Sequence, residues 1–580
     1  MPIHQRTLPL FAILALLALC AEGKVYQSFG EFTASSTSNY DYILVGGGIG
    51  GSVLANRLTE DGKARVLLIG SGVLSDTEGV LNIIVPGLFG QIDASKFNWN
   101  YQTTPQAGLN NRTLTYSRGK GLGGSTAVNA MIYTRGSKDD YDLWGKVSGN
   151  PKRWSWDALY PWMIKNERWG PPTSNRNTSG QYDPRFHGYA GKTGTSLPWG
   201  GPSDLDGRSL KAAEELRAHG YWLNLEPNDG NSIGLTWAQW TIGNGERSSA
   251  AAAYLGADVR ARKNLDIVLG AYATRVLPVG NLARKPLDFR TVELGYLPGV
   301  SNQTLRLTAK KEVILTAGTI GTPHILLNSG IGDRIGLAQV GVPLWHDLPN
   351  VGKGVSDHRL AEWQASRTGP LAEFGPSHQF LFKRFEKGLS LFEDYSDPST
   401  GPTTPHAEVV ILPSGANVNA RIIALTPRSR GSIKIRSSNP FDPPLVDTGF
   451  YTDPFDILAM TEAIRTTKRF FSASPFTSPN STSNGPYITG FLGPDPDLLV
   501  KEEFESRIRN ISAPYWHMVG SAAMGKSAGE SVVDADLRVW GVKGLRVVDA
   551  SVIPYVPTAH TQAAVYALAE RAADFIRKTW

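Results

Sequence analysis

Three closely spaced glycines near the start of the chain have the spacing that binds a dinucleotide. They are Gly46, Gly48 and Gly51, in the order G-x-G-x-x-G, with Gly47 between the first two. Glycines so spaced allow a tight turn, the approach of backbone N–H groups to a pyrophosphate, and close packing of a helix on a strand. The N–H groups and the positive end of the helix dipole then hold the phosphates. These residues therefore predict dinucleotide binding.

The flanking segments supply the elements that this loop needs. Residues 42–45 form an apolar run typical of a buried parallel strand, 52–59 has helical spacing, and 65–69 predicts a second strand. One residue departs from the pattern. A carboxylate about 20 residues beyond the loop normally binds the ribose hydroxyls, and Gly70 stands there instead. We therefore expect the dinucleotide to be held less tightly, by one or two hydrogen bonds.

A second glycine-rich segment, RGKGLGGSTAVNAMIYTRG at 118–136, favours FAD over NAD. A nicotinamide enzyme does not need this segment, whereas a flavin enzyme has to hold the isoalloxazine ring far from the adenine. With it, the chain resembles the glucose–methanol–choline (GMC) oxidoreductase family, whose members use FAD. The resemblance covers nearly all of residues 40–577, because further segments follow in the family's order at 245–255, 316–332, 348–358, 428–447 and 534–576.

The resemblance implies an α/β fold of two domains. A doubly wound, Rossmann-type FAD-binding domain would be assembled from separate parts of the chain, and an antiparallel-sheet α+β domain would bind the substrate. We expect the FAD-binding domain at 38–160, 225–345 and 520–580, and the substrate-binding domain at 161–224 and 346–519.

The resemblance also singles out two of the ten histidines. His517 and His560 match the family's catalytic positions, where two side chains meet beside the flavin N5. Oxidation of a primary alcohol moves a hydride from carbon and a proton from oxygen, and that proton is too weakly acidic to leave unaided. We expect neutral His517 to accept the proton and His560 to orient the alcohol. No role follows for the other histidines of the mature chain, which are His187, His219, His324, His346, His358, His378 and His406.

Several further residues match positions that contact FAD in the family. Besides the first glycine loop, they are Gly123, Gly124, Ser125, Asn129, Ala130, Asp549, Ala550, Thr561 and Gln562. Segment 563–579 predicts a final helix, whose positive end at Thr561 and Gln562 would stabilise the negative charge of the reduced ring. Some members attach FAD through a histidine just before the asparagine. Val128 occupies that position here, so we expect non-covalent FAD.

Trp516, next to the expected base, bears on the substrate. Among GMC branches the chain most resembles the aryl-alcohol oxidases, in which an aromatic residue there packs against a benzylic substrate. Segments 80–87 and 98–101 resemble the same branch, and sugar oxidases fit less closely. The resemblance thus implies oxidation of aryl or other allylic primary alcohols. The sequence does not decide whether O2 or a quinone accepts the electrons.

Two alternative functions stay open. One is a GMC-type tailoring dehydrogenase that acts on a terpenoid or polyketide alcohol of secondary metabolism. The other, from a different class, is a non-redox GMC-like lyase or a scaffold that has lost FAD. Gly70 gives the non-redox alternative some weight, whereas the two histidines and the flavin segments argue against it.

The N-terminus predicts a protein that leaves the cell. Residues 8–20 are apolar, follow Arg6, and are too few to span a bilayer. The small residues Ala21 and Gly23 come next at the usual cleavage spacing, so we expect a signal peptide at 1–23 and a secreted protein. Cys20 is the only cysteine and leaves with the signal. Five N-x-S/T sequons could carry glycans, at Asn111, Asn177, Asn302, Asn480 and Asn510.

The positive charge of the chain is spread along the sequence and says little about partners. The net charge is 58 − 52 = +6, and no run of five basic residues concentrates it. A nucleic-acid-binding surface or a polybasic membrane tail normally does concentrate its charge. We expect no nucleic-acid partner and no membrane span. We also expect no metal, and a small-molecule alcohol as the substrate.

Overall fold

The glycine loop follows an inner strand of a parallel sheet. A computed structural model describes residues 23–33, 39–72, 81–92, 96–297, 299–368, 375–480 and 483–580. Apart from Gly23, the expected signal peptide lies outside these ranges. Within them, six parallel strands form one sheet, in the order Val25–Tyr26, Leu265–Val268, Val66–Ile69, Tyr42–Val45, Glu312–Leu315 and Leu545–Val547.

The predicted strand–loop–helix–strand unit is confirmed. The first strand is Tyr42–Val45, the helix Ile49–Thr59 begins three residues earlier than expected, and the second strand is Val66–Ile69. Every residue of the two strands is buried, as expected for a parallel sheet covered on both faces. The final helix, Gln562–Thr579, packs against Ile49–Thr59 and covers this sheet.

A second, antiparallel sheet lies in the other half of the molecule. Its order in the described residues is Ile488–Leu492, Arg359–Arg367, Asn417–Ala424, Ala407–Ser414, Gln379–Lys383 and Gly234–Trp237, with Ala513–Pro514 beside Arg359–Arg367. Because side chains alternate along a strand, the sheet has two buried faces. Ala361, Trp363 and Ile422 pack with the core of helix Pro454–Phe471, whereas Phe380 and Val410 face the opposite way.

The remaining elements connect and cover these two sheets. Two smaller sheets consist of Ala271–Val279, Asp288–Tyr296 and Thr304–Thr308, and of Lys353–Val355, Gly431–Lys434 and Leu445–Asp447. Two-stranded pairs are Tyr101–Gln102 with Thr115–Tyr116, Glu167–Trp169 with Thr193–Thr195, Ile242–Gly243 with Glu246–Arg247, Ile331–Gly332 with His346–Asp347, and Pro479–Asn480 with Ser483–Pro486. The other α-helices are Phe29–Thr33, Leu81–Ile84, Lys138–Val147, Pro151–Trp154, Trp156–Asn166, Asp204–Glu215, Ala250–Tyr254, Ala257–Arg260, Gly318–Asn328, Arg334–Gln339, Leu391–Asp394, Ser474–Thr477 and Lys501–Ile511.

The parallel sheet and the antiparallel sheet, each with covering helices, match the fold class expected from the sequence. The domain boundaries stay a prediction. Strand Gly234–Trp237 is hydrogen-bonded into the antiparallel sheet, although it lies inside the segment 225–345 that we assigned to the FAD-binding domain. No helix in the described ranges combines the length and the hydropathy that a bilayer crossing needs.

Helix Gly318–Asn328 continues through the Thr322-Pro323 pair. Pro323 lies inside the helix and has no N–H to donate to the carbonyl of Thr319. The hydroxyl of Ser521 donates to that carbonyl instead, at 2.6 Å. A contact from a distant part of the chain therefore compensates for the missing helical hydrogen bond, and no local sequence signal shows it.

A buried ionic cluster joins the loops near residues 135, 167, 187 and 226. The His187 Nδ1 contacts Glu167 at 3.1 Å and its Nε2 contacts Glu226 at 3.0 Å, while Arg135 donates to Glu167 at 2.7 Å. Burial lowers the pKa of His187, but the hydrogen bonds to the two glutamates raise it by more, so its net pKa is above 6.5. Below that pKa a protonated imidazole bridges the two carboxylates, and removing it would leave buried charge without its partner.

We predict a pH-dependent loss of stability in His187→Leu. Because the folded-state pKa of His187 is raised, its contribution is fully present below pH 6.5 and is lost as the pH rises through the folded pKa. Breaking buried ion pairs costs about 3–5 kcal/mol. The melting temperatures of wild type and variant should differ most at acid pH and converge at alkaline pH. His219→Gln, at an exposed position, is the control. A difference that grows with pH would contradict this interpretation.

Candidate active site

The two histidines expected to do the chemistry lie side by side. The ring centroids of His517 and His560 are 4.7 Å apart, with the planes at 78°. His517 follows the short strand Ala513–Pro514, and His560 lies just before the final helix. Both are buried, at 9% and 7% exposure. The structure brings this pair together from opposite halves of the molecule, and the catalytic roles of the two rings stay a prediction.

The backbone around His517 is held in an unusual conformation. Trp516 has a φ of +58°, which is strained for a residue with a side chain. Its carbonyl accepts a hydrogen bond from Arg118 at 2.8 Å, and the His517 N–H donates to the Asp357 carboxylate at 2.7 Å. Tyr116 donates to the other oxygen of Asp357 at 2.6 Å. Burial raises the pKa of Asp357 to about 6, and these contacts hold its charged form at neutral pH.

His358 lies against His517, although the sequence analysis assigned it no role. Its Nδ1 is 2.9 Å from Nδ1 of His517, and its Nε2 is 3.1 Å from the carbonyl oxygen of Leu425. Burial, followed by the neighbouring His560 and His358, holds the pKa of His517 well below its usual range. The His517 imidazole is therefore neutral at pH 7 and has a lone pair that can accept a proton.

His560 has a different partner, Glu408. The Nε2 of His560 is 2.9 Å from a carboxylate oxygen of Glu408, and the His560 N–H donates to the Thr134 hydroxyl at 2.8 Å. Glu408 is fully buried, and its second oxygen has no hydrogen-bond partner among the described residues. The sequence analysis missed Glu408. The available signal was a single acid within the otherwise apolar strand Ala407–Ser414.

The surroundings of the histidine pair are mostly apolar and aromatic. The ring of Tyr515 lies 4.8 Å from that of His517 and 5.3 Å from that of His560, and the ring of Phe380 lies 6.2 Å from that of His560. Trp516 is 38% exposed and so does not belong to the core. The neighbouring apolar cluster comprises Met131, Ile132, Trp240, Leu360, Phe382, Val410, Ile423 and Leu425, with Phe89, Trp199 and Leu412 at its margin.

The two glycine segments meet backbone to backbone. The Gly123 N–H donates to the Gly47 carbonyl at 2.8 Å, and a Cβ on Gly124 would lie 2.8 Å from the Cα of Gly48. Gly46 has a φ of +119°. A side chain at Gly124 would therefore push the two segments apart. Because no side chain caps helix Ile49–Thr59, its first N–H groups are left for a phosphate.

The other residues expected to contact the cofactor suit a polar ring system such as a flavin. Asn129 accepts a hydrogen bond from Arg247 at 2.9 Å, while one oxygen of Gln562 and one guanidinium nitrogen of Arg247 are buried without partners among the described residues. Burial lowers the pKa of Arg247 to about 9, so it stays charged at pH 7. Ser125, Ala130, Ala550 and Thr561 are partly exposed. Unpartnered donors and acceptors of this kind suit the isoalloxazine of FAD.

Asp549 uses its carboxylate within the protein. One oxygen accepts from the Gly318 N–H at 2.9 Å and from the Thr322 hydroxyl at 2.6 Å, and the other accepts from the Ser551 N–H at 2.8 Å. This side chain therefore fixes the start of helix Gly318–Asn328. Its contact to FAD stays a prediction. Within the described ranges, no cluster of three or more His, Cys, Asp or Glu side chains has the arrangement that binds a metal ion.

A dinucleotide sheet and a second sheet that meet at a histidine pair define a flavin-dependent oxidoreductase. Models of the N- and C-terminal parts of GMC oxidoreductases match residues 40–360 and 427–569. The chain therefore belongs to the GMC oxidoreductase family and is an FAD-dependent enzyme.

Named relatives match nearly the whole length of the chain. It is 37% identical to "Dehydrogenase eriK" of Hericium erinaceus over 98% of both chains, and 37% identical to "Pyranose dehydrogenase" of Agaricus campestris over 93% of this chain and 94% of that protein. A solved fungal aryl-alcohol oxidase has a TM-score of 0.79 at 25% identity, over 94% of this chain and 100% of its own. These relatives include a sugar dehydrogenase and an aryl-alcohol oxidase.

We predict that Gly70→Glu tightens FAD binding. A Cβ at Gly70 would lie no closer than 3.7 Å to its neighbours, so the position accepts a side chain. Each charge-assisted bond to the ribose contributes about 1.5–3 kcal/mol, which corresponds to at least a tenfold lower Kd. Gly70→Ala, which adds only the methyl group, is the matched control. Equal Kd values for both variants, measured by titrating the apoprotein with FAD, would count against the prediction.

Proposed function

We propose that this protein is a secreted oxidase or dehydrogenase of primary alcohols that carry an aromatic ring or a double bond next to the carbinol carbon. FAD, bound non-covalently, would supply the hydride acceptor. The observation that carries the proposal is the imidazole pair at 4.7 Å in an apolar, aromatic site. The absence of a histidine at Val128 supports non-covalent binding.

In this proposal the two imidazoles have unequal roles. His517 is neutral and accepts the alcohol proton while the hydride leaves the carbon. The ring of His560 is held by Glu408 and its backbone N–H by Thr134, so the ring stays beside His517 and orients the alcohol there. Holding the alcohol in one geometry lowers the entropic part of the barrier.

The apolar surroundings favour an aromatic or allylic substrate. Trp516 is exposed beside the base, and Tyr515 and Phe380 lie close to the same two rings. An aromatic pair contributes about 0.5–1.5 kcal/mol beyond the area that it buries. A conjugated group next to the carbinol carbon would also stabilise the positive charge that develops there as hydride leaves. Both effects favour benzylic over simple aliphatic alcohols.

A second candidate substrate is a pyranose sugar. The buried second oxygen of Glu408 has no partner in the described residues, and it could accept a hydrogen bond from a further substrate hydroxyl. The likeness to pyranose dehydrogenases supports this alternative. A tailoring dehydrogenase would use the same chemistry and differ in its metabolic role. The electron acceptor is O2 or a quinone in either case.

Secretion and glycosylation are part of the proposal. The sequon asparagines Asn111, Asn177, Asn302 and Asn510 are exposed and accessible to a glycosyltransferase. The side chain of Asn480 lies outside the described part of the structure. Mass measurement of the natively produced protein, before and after release of N-glycans, tests these sites.

Anaerobic bleaching of the oxidised flavin is the central experiment. We expect veratryl-type alcohols to bleach the yellow holoenzyme faster than sugars or methanol. His517→Ala and His560→Ala should slow the reduction by about 10²–10⁴-fold, because each removes a group that contacts the alcohol. His219→Ala is the control. Fastest bleaching by a sugar would favour the second candidate, and no bleaching by any alcohol would refute the proposal.

Trp516 variants test the aromatic contact. Trp516→Leu should raise the KM for a veratryl-type alcohol by about two- to tenfold, because it loses the ring contact. The KM for methanol should change little. Trp516→Phe, which keeps a ring, is the matched control and should retain most of the preference. An equal effect on both alcohols in steady-state assays would mean that Trp516 does not contact the substrate.

A further inference from the structure

A chain of two hydrogen bonds leads from the backbone to the expected base. The Leu425 carbonyl lies 3.1 Å from Nε2 of His358, and Nδ1 of His358 lies 2.9 Å from Nδ1 of His517. His358 is fully buried, and its ring meets that of His517 edge-on at 78°. Both contacts are short enough to be hydrogen bonds, so each needs one donor and one acceptor.

The chemistry of these groups allows only one arrangement of protons. A carbonyl oxygen has no proton, so Nε2 of His358 must donate to Leu425. Burial lowers the pKa of His358 to about 3, so the ring is neutral and its Nδ1 carries a lone pair. That lone pair accepts a hydrogen bond from Nδ1 of His517. The proton of His517 is therefore on Nδ1, and its Nε2 is bare.

We propose that His358 is a positioning residue that fixes the tautomer of His517, so that Nε2 is always the proton acceptor. This inference rests on the proposed function, in which His517 is the base. The alcohol proton moves to Nε2 of His517, and the Nδ1–H of the resulting imidazolium stays donated to His358. A free imidazole would spend part of its time with the proton on Nε2, and that nitrogen could not then accept the alcohol proton.

The charges around His358 and His517 explain why an imidazole suits position 358. His517 also faces His560, Tyr515, Arg118 and the carboxylate of Asp357, and Arg359 lies beside His358. A carboxylate in place of His358 would orient His517 equally well but would raise its basicity. A neutral imidazole fixes the proton without adding a charge, so His517 stays unprotonated in a site that also contains Glu408 and His560.

Three variants at position 358 test the inference in the FAD-loaded enzyme. They are His358→Leu, which offers no acceptor, His358→Asp, which offers only acceptors, and His358→Asn, which offers both a donor and an acceptor. We expect His358→Leu to slow anaerobic flavin reduction by about 100-fold, with little change in KM. His358→Asp should retain most of the rate, with the acid limb of the pH profile moved up by about one pH unit. The rate of flavin reduction in His358→Asn should lie between the rates of the leucine and aspartate variants.

The outcomes separate this inference from the proposed function. Wild-type enzyme that no alcohol reduces would refute the function itself. If wild type is reduced, and His358→Leu has the wild-type rate and pH profile, only the role of His358 is wrong. Equal losses in the leucine and aspartate variants, with unshifted acid limbs, would show a merely structural role. FAD absorbance and melting temperature report folding, and if the leucine variant fails to bind FAD, the acid limb of the aspartate variant decides alone.

Discussion

The active site depends on two identical side chains in one buried space behaving differently. Two imidazoles at 4.7 Å share the same surroundings, so burial alone would act on both alike. Their partners make the difference, because His517 contacts another imidazole and His560 contacts a carboxylate. Each neighbour accepts an N–H from the ring that it faces, but His358 is a neutral imidazole and Glu408 is a carboxyl group. This difference between the partners distinguishes the two rings, for which we propose separate base and orienting roles.

Both layers of the fold are needed to maintain this asymmetry. Glu408 comes from a central strand of the antiparallel sheet, and His358 immediately precedes strand Arg359–Arg367 of the same sheet. His560 is held from the other side, because Asp140 accepts hydrogen bonds from the backbone and hydroxyl of Thr558 at 2.7 Å. The histidine pair therefore lies between the parts of the molecule that contain the two sheets, and movement of one part against the other would separate His517 from His560.

The cofactor cleft is built on a different principle, the close approach of backbones. The segments around Gly47 and Gly123 are in direct hydrogen-bonded contact, and a Cβ on Gly124 would lie 2.8 Å from the Cα of Gly48. The strain at Trp516 belongs to the same region, because Arg118 of the second segment holds its carbonyl. The loop that carries the expected base is therefore anchored to the segment that would hold the flavin.

The sequence by itself determined the local units and the family. The strand at Tyr42–Val45, the glycine loop and the final helix depend on periodicity and on glycine spacing, which act within a few residues. The tertiary structure alone decided the partners of His517 and His560, because Asp357, His358 and Glu408 lie more than a hundred residues away along the chain. The same holds for helix Gly318–Asn328, whose start depends on Asp549 and Ser521. Contacts between distant segments form only when the sheets pack, and no local pattern of residues encodes them.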